Sequence, residues 1–188
     1  IMQPPDVGQI ERKTQNRVLK LFRDELKYTY LGNLEDRHGN SNIEEDIVRT
    51  YLREKEYSET LINKALDKLR ITAFNYNESL YTNNKNVYGL LRYGVKVKAD
   101  VGENYETIEL IDWKHPFKNQ FAIAEEVTVP GMHDKRPDIV LYVNGIALSV
   151  LELKRSTVSI GDGIRQSIVN QQKEFIQSFF STIQFVFA

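Results

Sequence analysis

The stretch RPDIVLYVNGIALSVLELK, residues 136–154, constrains this chain more than any other. Two apolar runs meet at Asn144-Gly145, a dipeptide that tolerates the positive φ angles of a tight hairpin loop. Ile139, Leu141, Ala147, Leu151 and Leu153 fill one face of the expected hairpin. Val140, Tyr142, Ile146, Leu148 and Val150 fill the other. Strands apolar on both faces belong inside a sheet that is covered on both sides. Charge is confined to the open end, where Asp138 starts the hairpin and Glu152 and Lys154 finish it.

The register decides whether these charges can meet. A two-residue loop pairs Val143 with Ile146, sets Asp138 against Leu151, and turns Glu152 to the opposite face. A three-residue loop, Val143-Asn144-Gly145, pairs Tyr142 with Ile146 and Asp138 with Val150. Glu152 and Lys154 then share the face of Asp138, with diagonal neighbours roughly 7–8 Å apart. A bulge elsewhere has the same effect. Shared chemistry therefore predicts an irregular hairpin. Carboxylates beside a dry core also call for a cation or a basic partner, and Lys154 is one such partner.

The rest of the chain bounds the fold. With 188 residues, 41% hydrophobic and 27% charged, it can bury one sizeable core or two small ones. A net charge of −1 argues against a nucleic-acid coat protein but leaves room for a local basic groove. The absence of cysteine excludes disulfides and thiolate metal sites and is compatible with the cytoplasm. No signal peptide or membrane span is visible. His38, His115 and His133 are too few and too scattered for a zinc site. No GxSxG is present either. The apolar ending STIQFVFA is what a fragment of a longer chain would show.

The first third reads as helical, with Val18, Leu21, Phe22 and Leu26 at helical spacing after Glu11. Ser41-Asn42-Ile43-Glu44 matches a capping box. Ser58 is placed to cap the following helix, which carries Leu61, Ile62, Ala65, Leu66 and Leu69 inward. Strand signals begin near residue 87 in VYGLLRYGVKVKAD and continue through TIELIDW and FAIAEEVTV. A helix is expected from about 162 to 179, with Ile164, Ile168, Phe175, Ile176 and Phe179 on its apolar side. A last strand follows near 182–187. The expectation is an α/β domain: a mixed sheet over about 81–188, flanked by helices, after a mainly helical part over about 1–80.

Pro137-Asp138 followed across a hydrophobic hairpin by Glu152-x-Lys154 is the core pattern of the PD-(D/E)xK nucleases. ERKTQNRVLKLF, RPDIVLYVNGIALSVLELKRS and GIRQSIVNQQKEFIQSFFSTIQFVFA, with LLRYGVKV, ELIDW and FAIAEEVTV between them, resemble the N-terminal region of the restriction (motor) subunit of type I restriction enzymes. The resemblance covers essentially the whole chain and implies a restriction-endonuclease-like fold and a Mg²⁺-dependent DNA endonuclease domain. It also implies an ATP-driven translocase in the same polypeptide, although no GxxxxGK[ST] loop occurs here. Double-stranded DNA and the methyltransferase and specificity subunits are the implied partners. Carried over by position, Asp138 and Glu152 are the metal ligands, and Lys154 is the charged residue of the ExK motif. Gln166 matches a Gln that the family places four residues before a Tyr; here the second position is Asn170. Glu11 is a candidate for the early-helix acid of related folds, although an acid at a helix start also suits the dipole.

Phosphodiester hydrolysis needs an activated water and relief of charge on the transition state. Mg²⁺ held by Asp138, Glu152 and the Leu153 carbonyl suits both needs. Lys154 is expected to orient the water and stabilise negative charge, and Gln166 to position the water, Lys154 or the DNA backbone. Lys85, Arg92, Lys96 and Lys98, interleaved with Tyr88 and Tyr93, could contact phosphates or form an ordinary solvated face. Lys135, Arg136 and Arg155 flank the site and are candidates for the scissile strand. Two alternatives remain open: a catalytically silent module that binds DNA or docks the methylating subunits, and a PD-(D/E)xK repair nuclease.

Overall fold

The computed structural model of the chain describes residues 7–153, 160–173 and 175–188. Lys154 and Arg155 lie outside the described residues, as do the side chains of Glu11 and its neighbours in the first helix. Helix α1 (Val7–Lys20) passes through a π turn, Leu21–Glu25, into strand β1 (Thr29–Asn33). Three helices follow: α2 (Glu45–Glu54), α3 (Glu59–Ala73) and α4 (Leu80–Tyr93). Strands β2 (Val95–Val97) and β3 (Glu106–Ile108) form a small antiparallel pair. Then come β4 (Phe121–Glu125), β5 (Ile139–Val143), β6 (Ile146–Leu151), helix α5 (Ile160–Asn170), a 3-10 turn Gln177–Ser181 and β7 (Phe185–Phe187).

The main sheet is mixed, in the order β1-β4-β5-β6-β7. β4, β5 and β6 form an antiparallel meander, while β1 joins β4 and β7 joins β6 in parallel. Leu19 of α1 packs with Ile123 and Ile139 on one face. Ile176, Phe179 and Phe180 cover Ala124, Val140, Tyr142 and Val150 on the other. The turn end of the hairpin, with Ile146, is wrapped by α2, α3, α4 and the small β2–β3 pair. Both sheet faces are thus covered, as the doubly apolar hairpin requires.

The hairpin is irregular, but not at its loop. Asn144 (φ 50°) and Gly145 (φ 83°) make a two-residue loop, and Val143 pairs with Ile146 and Tyr142 with Ala147. The register then shifts, so that Leu141 pairs with Ser149 and Ile139 with Leu151, leaving Leu148 as the extra residue. The expected pairing of Tyr142 with Ile146 is therefore corrected: a bulge does the work assigned to a longer loop. Backbone groups around the bulge find other partners. Ala147 N–H donates to the Asn42 carbonyl at 2.8 Å, Gln184 N–H donates to the Leu148 carbonyl at 2.8 Å, and the Thr182 hydroxyl donates to the Ala147 carbonyl at 2.7 Å.

Four further expectations are corrected. The helical first third contains β1, which pairs with β4. Residues 87–93 form the end of a helix, because Ser79 caps α4 by accepting Thr82 N–H at 3.1 Å and Val87 and Leu91 are buried four residues apart. Gly94, at φ 76°, ends that helix. The capping box at Ser41 is absent: Ile43 instead bridges to Ile146, Glu44 N–H donates to the Gly145 carbonyl at 2.7 Å, and the Glu44 carboxylate pairs with Arg37. Tertiary pairing of this segment with the hairpin replaces the cap, and α2 starts at Glu45. Ser58 does cap α3, accepting Leu61 N–H at 3.4 Å. Finally, the helix expected over 162–179 stops at Asn170. Gly163, Ser167 and Asn170 face inward, while Ile164 and Ile168 are about half exposed.

Beside the hairpin turn, Lys55 Nζ lies 2.7 Å from Asp112 Oδ2. This bond, aided by the His115 backbone N–H, holds the Asp112 carboxyl down at about 2. A depressed carboxyl stabilises the fold fully above its unfolded value near 4, and that stability is lost as pH falls toward 2. Asp112→Asn should therefore flatten the acid-side decline in stability across that window, read by denaturant titration at each pH. Superimposable acid profiles for parent and variant would exclude this role.

Candidate active site

The bulge at Leu148 sets the geometry at the open end of the hairpin. With Ile139 opposite Leu151, the register carried one step further puts Asp138 directly across from Glu152. The two carboxylates therefore emerge on one face, as shared chemistry requires. Leu153 N–H donates to Asp138 Oδ2 at 2.6 Å, which fixes that carboxylate at the strand end. Glu152 is 1% exposed, and its backbone N–H donates to the Phe187 carbonyl at 2.8 Å, so β7 anchors it from the side. Gln166 on α5 donates from Nε2 to Glu152 Oε2 at 3.1 Å. Thus Asp138, Glu152 and Gln166 come together from β5, β6 and α5. Asn170, one helical turn beyond Gln166, is 1% exposed, and its Oδ1 has no hydrogen-bond partner among the described residues.

Two adjacent carboxylates beside the Leu153 backbone form an all-oxygen donor set, the type that suits Mg²⁺, which keeps several of its own waters. Among the described residues there is no group of three or more His, Cys, Asp or Glu side chains able to hold a metal.

A second polar cluster, not anticipated from the sequence, adjoins the site. Glu125 is 3% exposed in β4, yet its carboxylate accepts from Arg12 at 2.6 Å, Gln15 at 2.8 Å and the Tyr30 hydroxyl. Burial, then the bond to Glu125, pushes the Tyr30 phenol up to about 12. Glu126 adopts a left-handed backbone (φ 52°), which brings its side chain to the α1 side as well, where Gln15 donates at 3.0 Å. Its own N–H donates to the Asp138 carbonyl at 2.9 Å. The cluster thus ties α1 to the strand edge that carries Asp138. The signal for it was the Glu125-Glu126 pair interrupting an otherwise uncharged strand run.

The candidate DNA contacts divide. Arg136 is near Asp138 but already pairs with Glu35 and, through Nε at 2.9 Å, with Glu126. Lys135 Nζ sits 4.2 Å from the Phe175 ring centroid. Lys96 lies in β2 and Lys98 just after it, and β2 packs at the turn end of the hairpin, away from the carboxylates. Lys98 Nζ lies 4.8 Å from the Tyr105 ring centroid. Among the described residues no helix is long and apolar enough to cross a membrane.

Comparison with known proteins adds independent findings. A family model described as type I restriction enzyme R protein N terminus matches residues 9–188. The type I restriction enzyme SauMSSORF170P endonuclease subunit of Staphylococcus aureus is 26% identical over 141 residues, 74% of this chain and 14% of that protein. The SsaAORF53P endonuclease subunit of Staphylococcus saprophyticus is 28% identical over 95 residues, 50% of this chain and 10% of its relative. The HindI endonuclease subunit of Haemophilus influenzae is 35% identical over 79 residues, 40% of this chain and 8% of that subunit. The matched segments therefore span only a small part of each of these relatives.

Proposed function

This chain belongs to the type I restriction enzyme R protein N-terminal family, and from that membership we propose that it is the Mg²⁺-dependent DNA endonuclease module of a type I restriction enzyme. The observation that carries the proposal is the convergence of Asp138 and Glu152 on one face, with Gln166 bonded to Glu152. The strand order β4-β5-β6-β7, with β7 parallel to β6 beyond α5, supports assigning the PD-(D/E)xK architecture. Double-stranded DNA is the substrate, methyltransferase and specificity subunits are the partners, ATP serves a motor region, and the cytoplasm is the place of action.

Asp138 and Glu152, with the Leu153 carbonyl, are the groups that would hold Mg²⁺. The ion supplies Lewis acidity toward the phosphate and lowers the pKa of a bound water. Asp138 keeps its orientation by accepting Leu153 N–H. Gln166 orients Glu152 from α5. Lys154 is assigned the stabilisation of negative charge that develops on the phosphate oxygens. Arg136 and Arg155 are assigned contacts to the phosphodiester backbone, with Arg136 exchanging its carboxylate partners for phosphate.

Mn²⁺ titration of the chain by calorimetry tests the site directly. Binding should weaken at least about tenfold in Asp138→Ala and in Glu152→Ala, since each loses a charged oxygen ligand. Unchanged affinity in both variants would sink the metal assignment and favour a catalytically silent docking module. Cleavage that persists without the restriction assembly would favour a repair nuclease.

A further inference from the structure

We infer that the solvent face of α4 is a binding platform for single-stranded nucleic acid, separate from the carboxylate site and independent of its chemistry. Tyr81, Lys85, Tyr88 and Arg92 follow one another at steps of four, three and four residues, which stacks them along one stripe of a helix. All four are exposed, Tyr81 to 76% and Tyr88 to 45%. The stripe alternates aromatic, cation, aromatic, cation. Successive groups are about 4.5–6 Å apart along the axis at the helical rise.

The stripe extends beyond the helix. Arg92 Cζ lies 5.4 Å from the ring centroid of Trp113. Trp113 is the single tryptophan of the chain and is 48% exposed. Its Nε1–H donates to the Leu91 carbonyl at 2.7 Å, so the ring is held in place against α4. Helix α4 contains no Asp or Glu, and the nearest acid in sequence is Glu78, just before the Ser79 cap.

This pattern matches one class of ligand. Exposed aromatic faces stack unpaired bases, and cations between them neutralise the connecting phosphates. A duplex keeps its bases inside and can offer the stripe only phosphates, so single strands should bind more tightly. The core explains none of this arrangement, because Val87 and Leu91 supply the buried face of the same helix.

The test is titration of the 188-residue chain with oligodeoxythymidylate of about 20 nucleotides in EDTA, reading Trp113 fluorescence and probe anisotropy. EDTA removes any metal-dependent cleavage, so the outcome does not depend on the nuclease proposal. Saturable quenching of Trp113 is expected. Tyr81→Ala combined with Tyr88→Ala should weaken binding at least about tenfold. Lys85→Ala combined with Arg92→Ala should make the dependence of log affinity on log salt shallower by about 1.4. These side chains are exposed, so circular dichroism and melting should match the parent. The inference is overturned if the parent fails to bind the oligonucleotide, if a duplex of equal length binds as tightly, or if either double variant binds like the parent.

Discussion

Glu152→Ala is expected to abolish DNA cleavage by the complete restriction enzyme, with a loss of at least about 10³-fold, while ATP hydrolysis continues. The carboxylate sits at 1% exposure, across the hairpin from Asp138 and bonded to Gln166. On the proposed function, losing one of two charged ligands would remove both the hold on the cation and the charge relief that hydrolysis needs. Asp138→Ala and Lys154→Ala should behave alike. Lys154→Arg should also fail, since a planar guanidinium does not replace a compact ammonium beside a bound water. Gln166→Ala should cost only about tenfold, because a neutral amide orients Glu152 without contributing charge. The assay is plasmid linearisation with ATP and Mg²⁺ in the reconstituted enzyme. Linearisation by Glu152→Ala at the parental rate would mean that this module is not the nuclease.

The largest effect on stability should come from the other end of the same hairpin. Asn144→Ala is expected to cost about 3–5 kcal/mol. Asn144 is fully buried and left-handed. Its Oδ1 accepts Gln120 N–H at 2.7 Å, and its Nδ2 donates to the Leu110 carbonyl at 2.9 Å and to Asn119 Oδ1 at 2.8 Å. Alanine would strand Gln120 N–H and the Leu110 carbonyl, would leave Asn119 Oδ1 only its bond from Asp112 N–H, and tolerates the left-handed backbone poorly. No larger side chain can compensate at the neighbouring position, since a Cβ on Gly145 would meet the Glu44 carbonyl oxygen at 2.7 Å. Asn144→Gly should be less damaging, because it relieves the backbone while losing the same bonds. Chemical denaturation midpoints measure both. A loss below about 1 kcal/mol for Asn144→Ala would show that the loop network is dispensable.

The two results concern opposite ends of one hairpin, and they separate what each level of information decided. Residue order by itself determined the hairpin, because Asn-Gly between apolar runs is local turn chemistry, and the doubly apolar faces demanded a buried sheet. It also marked Asp138 and Glu152, since carboxylates at the mouth of an apolar hairpin are conspicuous wherever the register falls, whereas Gln166 was marked only by the resemblance to the restriction-subunit family. Tertiary structure alone decided the register. The loop has two residues, and the shift that aligns the carboxylates lies at Leu148, where Asn42, Thr182 and Gln184 engage the backbone around the bulge. Those partners are more than thirty positions away in the chain, so no local pattern could announce them. The same cause corrected the cap at Ser41, where pairing with the hairpin outweighed a local capping preference, and hid the Arg12–Glu125 contact, which exists only once α1 lies on the sheet. The helix α4 is the converse case: its Val- and Tyr-rich end looks like a strand, but burial of Val87 and Leu91 against the other helices overrode that weak intrinsic preference.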